Sequence, residues 1–172
     1  RPPPPTVMPI KFIGKNHIRG VIFSSKLEMA SGCEVTLIGC HILHGVSIGA
    51  RASLQMIGCR VECLHGANVR VGKAASLVAD DTQFHGGNET VLGPDRIIDC
   101  AQCSKLVCTN CSFDGRAGDA LNVSMGRNPS DYGRIGEDTS MDVLYIDSCR
   151  FDCTTRYSAT CVWQLCSLYP RL

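Results

Sequence analysis

The feature that most constrains the fold is an eight-residue pattern that recurs five times along the chain. Its template is apolar, any, apolar, two variable residues, Cys or Thr, any, apolar, and it occupies residues 35–42, 54–61, 77–84, 106–113 and 144–151. The first two apolar positions are two residues apart, so both side chains point to one face of a β-strand. A bend rich in Gly, Asp and Asn follows, with Gly39, Gly58, Asp80, Asp81, Asn110 and Asp147. Each segment therefore predicts two short strands joined by a bend.

A third strand follows the first repeats. Residues 44–48 and 65–71 resemble one another, since each begins with His-Gly and continues with alternating apolar residues, and residues 118–123 form a third copy. The ends of successive templates are separated by 19 residues at first and by 38 at last. The later units therefore carry loop insertions, which the Gly, Pro, Asn and Asp content places near 86–99 and 125–140.

Strands, bends and a period of roughly 20–25 residues predict an all-β chain folded as a β-solenoid. No stretch has the 3.6-residue apolar period of the helices that a βαβ fold needs. The hexapeptide period of left-handed β-helices cannot be threaded through these units. We therefore predict a right-handed parallel β-helix of about five to six coils, preceded by a Pro-rich arm or linker at 1–10 and filling a single domain at 11–172.

The template and the Gly-led strand resemble the parallel β-helix repeats of the pectate-lyase-like, pectin-degrading enzymes. They also resemble repeats in carbohydrate-binding and sugar-hydrolase domains and in the substrate-binding region of certain F-box proteins. The resemblance covers residues 33–153. It implies the fold, and it leaves the function open because packing shapes such repeats.

One template position is occupied by small side chains in every repeat. In a solenoid these residues stack at the strand spacing of about 4.8 Å. We therefore predict a structural ladder, a column at an inward bend, formed by Cys40, Cys59, Thr82, Cys111 and Cys149.

Cys100, Cys103, Cys108 and Cys111 have the paired Cys-x-x-Cys spacing of zinc sites. Cys108, however, aligns with apolar residues of the other repeats, and Cys111 belongs to the ladder. We therefore predict buried thiols and no metal or other cofactor, with zinc and disulfides as the alternatives. A core position that accepts Cys in place of Leu, Ala or Ile favours a reduced, intracellular and cytoplasmic protein over a disulfide-rich secreted domain.

Enzymes with this fold that cleave sugars need paired carboxylates. The richest polar patch contains Asp114 and Asp119, but it lacks the accompanying His-Gly and Arg-x-Lys signatures. We therefore predict no enzyme and keep these two residues as weak catalytic candidates.

The net charge of +1 and the lack of a basic stripe argue against nucleic-acid binding. No apolar run is long enough to span a membrane. The function predicted is a scaffold or protein-interaction module, part of a larger chain or complex, whose partners are other proteins. The alternative is a carbohydrate-binding or carbohydrate-active protein of the polysaccharide hydrolase or lyase kind, with a glycan as ligand.

Overall fold

The computed structural model describes residues 8–63, 68–86, 96–101, 103–115, 119–124 and 143–153. The described residues contain strands, bends and turns, and no helix. The strands form three six-stranded sheets. The first sheet contains β1 (Ile10–Phe12), β4 (Leu27–Met29), β7 (Val46–Ile48), β10 (Val69–Val71), β13 (Arg96–Ala101) and β16 (Asp119–Ser124). The second contains β2 (Lys15–Arg19), β5 (Glu34–Ile38), β8 (Ser53–Ile57), β11 (Ser76–Asp80), β14 (Lys105–Thr109) and β17 (Val143–Asp147). The third contains β3 (Ile22–Phe23), β6 (His41–Ile42), β9 (Arg60–Cys63), β12 (Gln83–Gly86), β15 (Ser112–Gly115) and β18 (Arg150–Cys153).

The chain visits the three sheets in turn, and each strand pairs in parallel with the strand three places further along. Three consecutive strands therefore make one coil, and six coils stack to form a parallel β-helix. The predicted fold class is confirmed. We call the coil at residues 8–23 the first coil, the coil at 119–124 and 143–153 the last coil, and the four between them the interior coils.

The sequence repeat corresponds to the strand register. The first apolar residues of the five templates are Cα partners in one unbroken column of the second sheet: Val35, Leu54, Leu77, Leu106 and Leu144. The template ends form a matching column in the third sheet: Ile42, Val61, Phe84, Phe113 and Phe151. One residue of slip would turn these side chains outward, so the apolar spacing fixes the register.

Two strands overlap segments that the sequence analysis assigned to a loop and to the arm. Strand β13 occupies Arg96–Ala101 and overlaps the end of the insertion predicted near 86–99, because Ile98 and Cys100 continue the inward column of Val69 and Val71. Strand β1 begins at Ile10, the last residue of the predicted arm, because Ile10 pairs with Leu27. The insertion predicted at 125–140 lies outside the described residues.

A left-handed residue marks the bend between the second and third sheets. The residue has a positive φ in every coil: Gly20, Gly39, Gly58, Asp81, Asn110 and Ser148. Gly, Asn and Asp tolerate this conformation best, which explains the composition of the predicted bends. In the last repeat the left-handed residue is Ser148, one position after the predicted Asp147.

The core lies between the three sheets. It consists almost entirely of aliphatic residues, cysteine and phenylalanine. On the third sheet the rings of Phe84, Phe113 and Phe151 stack with centroids 5.0 and 4.9 Å apart. This spacing equals the rise of one coil, so the rings repeat in step with the backbone.

Candidate functional site

The predicted ladder positions directly follow the left-handed bend residues. Cys40, Cys59, Thr82 and Cys111 are buried, and Cys149 is partly buried. The Cys59 thiol lies 3.5 Å from the Ile57 carbonyl of its own coil and 3.3 Å from the Leu37 carbonyl of the coil before it. Cys40, Cys111 and Cys149 repeat this arrangement. The side chains therefore donate to carbonyls of two coils.

Two of the ladder thiols, Cys59 and Cys149, are poor nucleophiles, whereas the pKa of Cys111 is lowered, mainly by a hydrogen bond from Cys108. Burial raises the pKa of Cys59 and of Cys149. A hydrogen bond with Cys111, together with burial, raises the pKa of Cys108. A thiol with a raised pKa stays protonated at neutral pH, and the protonated form is neither a nucleophile nor a metal ligand. These groups therefore serve the packing of the coils.

Of the four cysteines considered for zinc, Cys100 and Cys108 lie in strands, and Cys103 and Cys111 lie in the connections that follow those strands. Cys100 is on β13 and forms a disulfide with Cys103, so the prediction of buried thiols is wrong at these two positions. Cys108 points into the core from β14, and Cys111 is in the ladder. A disulfide leaves neither of its sulfurs as a thiolate ligand. Within the residues the structure describes, no group of three or more His, Cys, Asp or Glu side chains could hold a metal ion.

The structure describes the side chain of only one of the two weak catalytic candidates. Asp114 is exposed on the outer face of the third sheet, on β15, and its carboxylate lies 3.4 Å from Nδ1 of His85. Asp119 is the first residue of β16, in a different sheet, and its side chain lies outside the description. The two residues therefore do not share one strand or one sheet.

Asp114 belongs to a charged outer face that the sequence analysis missed. Glu62, His85, Asp114 and Asp152 are successive partners along the third sheet, with one residue in each coil. Two carboxylates of this column have a cationic neighbour, because Arg60 binds Glu62 and Arg150 binds Asp152. The residue after each of the last four template ends belongs to this column, so the series Glu, His, Asp and Asp was the available signal.

The carboxylates with shifted pKa values on these sheets are held ionised. Burial acts to raise the pKa of Glu62, but hydrogen bonds from Arg60 and His41 outweigh it and lower the value. Hydrogen bonds from Thr109 and Asn110 lower the pKa of Asp80. A general acid needs the opposite shift. Both carboxylates are therefore suited to holding neighbouring coils together.

The exposed apolar side chains are concentrated at the two ends of the stack. Among the described residues, every large apolar side chain that is exposed belongs to the first or last coil: Met8, Ile10, Ile13, Val21, Ile22, Val143, Tyr145 and Phe151. Ile13 is 75% exposed, Ile22 69% and Tyr145 52%. Isolated exposed apolar residues are ordinary, but grouped ones mark contact surfaces. The ends of the stack are therefore the candidate functional site.

The same ends carry the strand edges. Strands β1, β2 and β3 each have one partner strand among the described residues, and so do β16, β17 and β18. A strand with one partner presents backbone N–H and C=O groups along its other edge, where a further strand can pair. Apolar side chains and pairing groups thus occur together at each end.

No segment of the described chain forms a helix with the length and apolar character needed to cross a membrane. No protein-family model, curated protein or solved structure matches the sequence. The functional conclusion therefore rests on the geometry of the two ends and of the sheet faces.

Proposed function

We propose that this chain is a non-enzymatic β-helix module that binds other proteins through the ends of its coil stack, as part of a larger chain or complex. One observation carries the proposal. The exposed large apolar side chains of the described residues are confined to the first and last coils, and the interior coils have none. A stack that ended in water would gain from covering these side chains, because burial of apolar surface contributes about 25 cal/mol per Å².

The sheet faces supply a second argument for binding over catalysis. On the third sheet, Arg60 pairs with Glu62 and Arg150 pairs with Asp152, and each pair neutralises a carboxylate that an acid and base mechanism would need. An end surface rich in Ile and Met instead suits a protein partner.

Cross-linking mass spectrometry on the full chain in its native extract tests the proposal. Lys11 and Lys15 report on the first coil, and Lys73 and Lys105 report on interior coils. We expect links to partner proteins from the first pair. These links should be lost in the double variant Ile13→Ser, Ile22→Ser and retained in the control Ile57→Ser, which changes an outward residue of an interior coil. Links from Lys73 and Lys105 that the double variant leaves unchanged would refute binding through the ends.

Carbohydrate binding is the second candidate, and the charged face of the third sheet favours it. Asp114 and Asp152 are partners on adjacent coils, so their Cα atoms lie about one strand spacing apart, near 4.8 Å. Retaining glycosidases separate two carboxyl groups by about 5–5.5 Å. Binding or cleavage of a polysaccharide that is lost in Asp114→Asn and retained in Asp81→Asn would establish this function.

A cytoplasmic location is part of the proposal. Some of the cysteines favour this location, and two of them favour an oxidising compartment. Five buried cysteines are free thiols, which suits a reduced compartment: Cys33, Cys40, Cys59, Cys108 and Cys111. The Cys100–Cys103 disulfide is instead typical of an oxidising compartment. Alkylation of the native protein without reductant, followed by mass spectrometry, tests this. Free thiols at both positions in the isolated native protein would support the cytoplasm.

A further inference from the structure

Residues paired from coil to coil form columns that run without a register shift from the first coil to the last. Along the second sheet, Arg19 is aligned through four intervening partners with Asp147, and Ile18 with Ile146. Along the third sheet, Phe23 is aligned in the same way with Phe151. The first coil thus has the strand order, strand direction and inward positions that a seventh coil would need.

We propose that the last coil of one copy pairs with the first coil of a second copy, so that the β-helix continues head to tail across two chains. The proposal rests on the proposed function, because it names a second copy of this chain as the partner at the ends. All strands of the stack are parallel. Among the described residues, β16, β17 and β18 have no partner strand on one edge, and this edge matches the unpartnered edge of the first coil as one interior coil matches the next.

Continuation of the register places matching side chains together inside the joint. Ile146 and Ile18 are both only partly buried in the single chain. Each would gain the neighbour that equivalent residues of the interior coils already have. The exposed ring of Phe151 would meet Phe23 of the second copy and extend the stack that Phe84 and Phe113 begin.

Charge also favours the head-to-tail arrangement. Residues 8–23 contain Lys11, Lys15 and Arg19 and no acidic residue, whereas the described residues of the last coil contain three Asp and one Arg. Opposite charge brings a first coil to a last coil and opposes the meeting of two first coils. In the continued register, the exposed Arg19 of one copy faces the exposed Asp147 of another.

A joint of this kind uses different surfaces on its two sides. Such a heterologous contact leaves a free first coil and a free last coil on every dimer, so it builds open rows of increasing length. A two-fold dimer would stop at two copies. The distribution of assembly sizes therefore distinguishes the proposed joint from a closed dimer.

Sedimentation velocity of the full chain over a range of concentrations tests the joint. We expect a series of growing species for the wild type. Arg19→Asp should weaken association by about tenfold or more, because two carboxylates would then face each other. The charge-swapped double variant Arg19→Asp, Asp147→Arg should restore association. The control Arg70→Asp, on the exposed face of an interior coil, should associate as the wild type does.

Each alternative result has a definite meaning. Association that Arg19→Asp leaves unchanged, or that the double variant does not restore, overturns the proposed register. A wild type that sediments as one copy at every concentration overturns self-pairing. In that case, partner links that still depend on Ile13 and Ile22 leave the end-binding function standing. If those links are also absent, both proposals fail.

Discussion

The interior and terminal coils share one template but differ in burial. Leu77 in an interior coil is fully buried, whereas its aligned partner in the last coil, Leu144, is only partly buried. Phe113 is fully buried and stacks on a ring at each face, whereas Phe151 stacks at one face and is exposed. An apolar side chain in a solenoid needs a neighbour on both sides. The first and last coils, which have one neighbouring coil each in the described part of the chain, are therefore where the chain can gain from a partner.

The largest effect on stability is expected from truncating a phenylalanine side chain, compared between an interior coil and the last coil. Phe113→Ala should lower the free energy of unfolding by about 3–5 kcal/mol, because it opens a cavity between two stacked rings. Phe151→Ala should cost about 1–2 kcal/mol, since that ring is already exposed on one side. Chemical denaturation measures both values. Equal losses would show that the last coil is as well buried as the interior.

Substitution of two turn glycines distinguishes the cost of a steric clash between coils from the cost of backbone strain. A Cβ at Gly49 would lie 2.5 Å from the Met29 carbonyl oxygen of the coil before it. Gly49→Ala should therefore cost about 2–3 kcal/mol. Gly14, in the first coil, has a φ of 68° and nothing within 4 Å of the Cβ position, so Gly14→Ala should cost about 1 kcal/mol from strain alone.

Asparagine tests the two causes separately. Asn tolerates a positive φ, so Gly14→Asn should recover part of the loss caused by Gly14→Ala. Gly49→Asn should recover none, because its Cβ still meets the backbone of the neighbouring coil. Urea denaturation of all four variants measures the difference, and a similar recovery at both sites would contradict the close approach at Gly49.

The thiol ladder predicts a dependence on alkaline pH. Burial raises the pKa of Cys59 in the folded chain. As pH rises above about 8.5, the unfolded chain therefore loses this proton first and becomes favoured. The free energy of unfolding, measured in reductant, should fall over this range and fall less in Cys59→Thr. Because Cys149 is less buried, Cys149→Thr should change the dependence less, and an equal change would contradict the difference between the coils.

The smallest effect is expected at the ion pair between the first two coils. Lys15 lies 3.0 Å from Glu34, and both side chains are largely exposed. Exposed pairs contribute about 0.2–1 kcal/mol at most sites, so Lys15→Ala should lower the free energy of unfolding by no more than about 0.5 kcal/mol. A much larger loss in chemical denaturation would mean that charge, rather than the core residues Phe12 and Phe23, holds the first coil.

The register of the interior coils could be predicted because both inward positions of each template are apolar there. The first coil lies within the predicted β-helix domain, but no template was identified in it, because Asn16 and Val21 occupy positions that are mostly Leu and Cys in the five templates. An end coil tolerates such changes, since its inward positions are only partly covered. Strand β13 was missed because its apolar column follows a stretch rich in Gly and Asn.

The candidate site was harder to predict than the fold. Exposure at Ile13 and Ile22 depends on which coil stands at the end of the stack, and the repeated template does not carry that information. The Cys100–Cys103 disulfide was only an alternative in the sequence analysis, because a Cys-x-x-Cys pair has the same spacing whether it binds zinc or forms a disulfide. The charged column at Glu62 and Asp114 was visible only after the register aligned it.

Hydrogen–deuterium exchange as a function of protein concentration tests most directly whether the ends are the binding surfaces. Backbone amides of Ser53–Ile57, inside the stack, should be strongly protected at every concentration. Amides of Ile10–Phe12 and Lys15–Arg19 should exchange readily in dilute protein and become protected as the concentration rises. Protection that grows on the interior strands while the first coil stays unprotected would contradict binding through the ends.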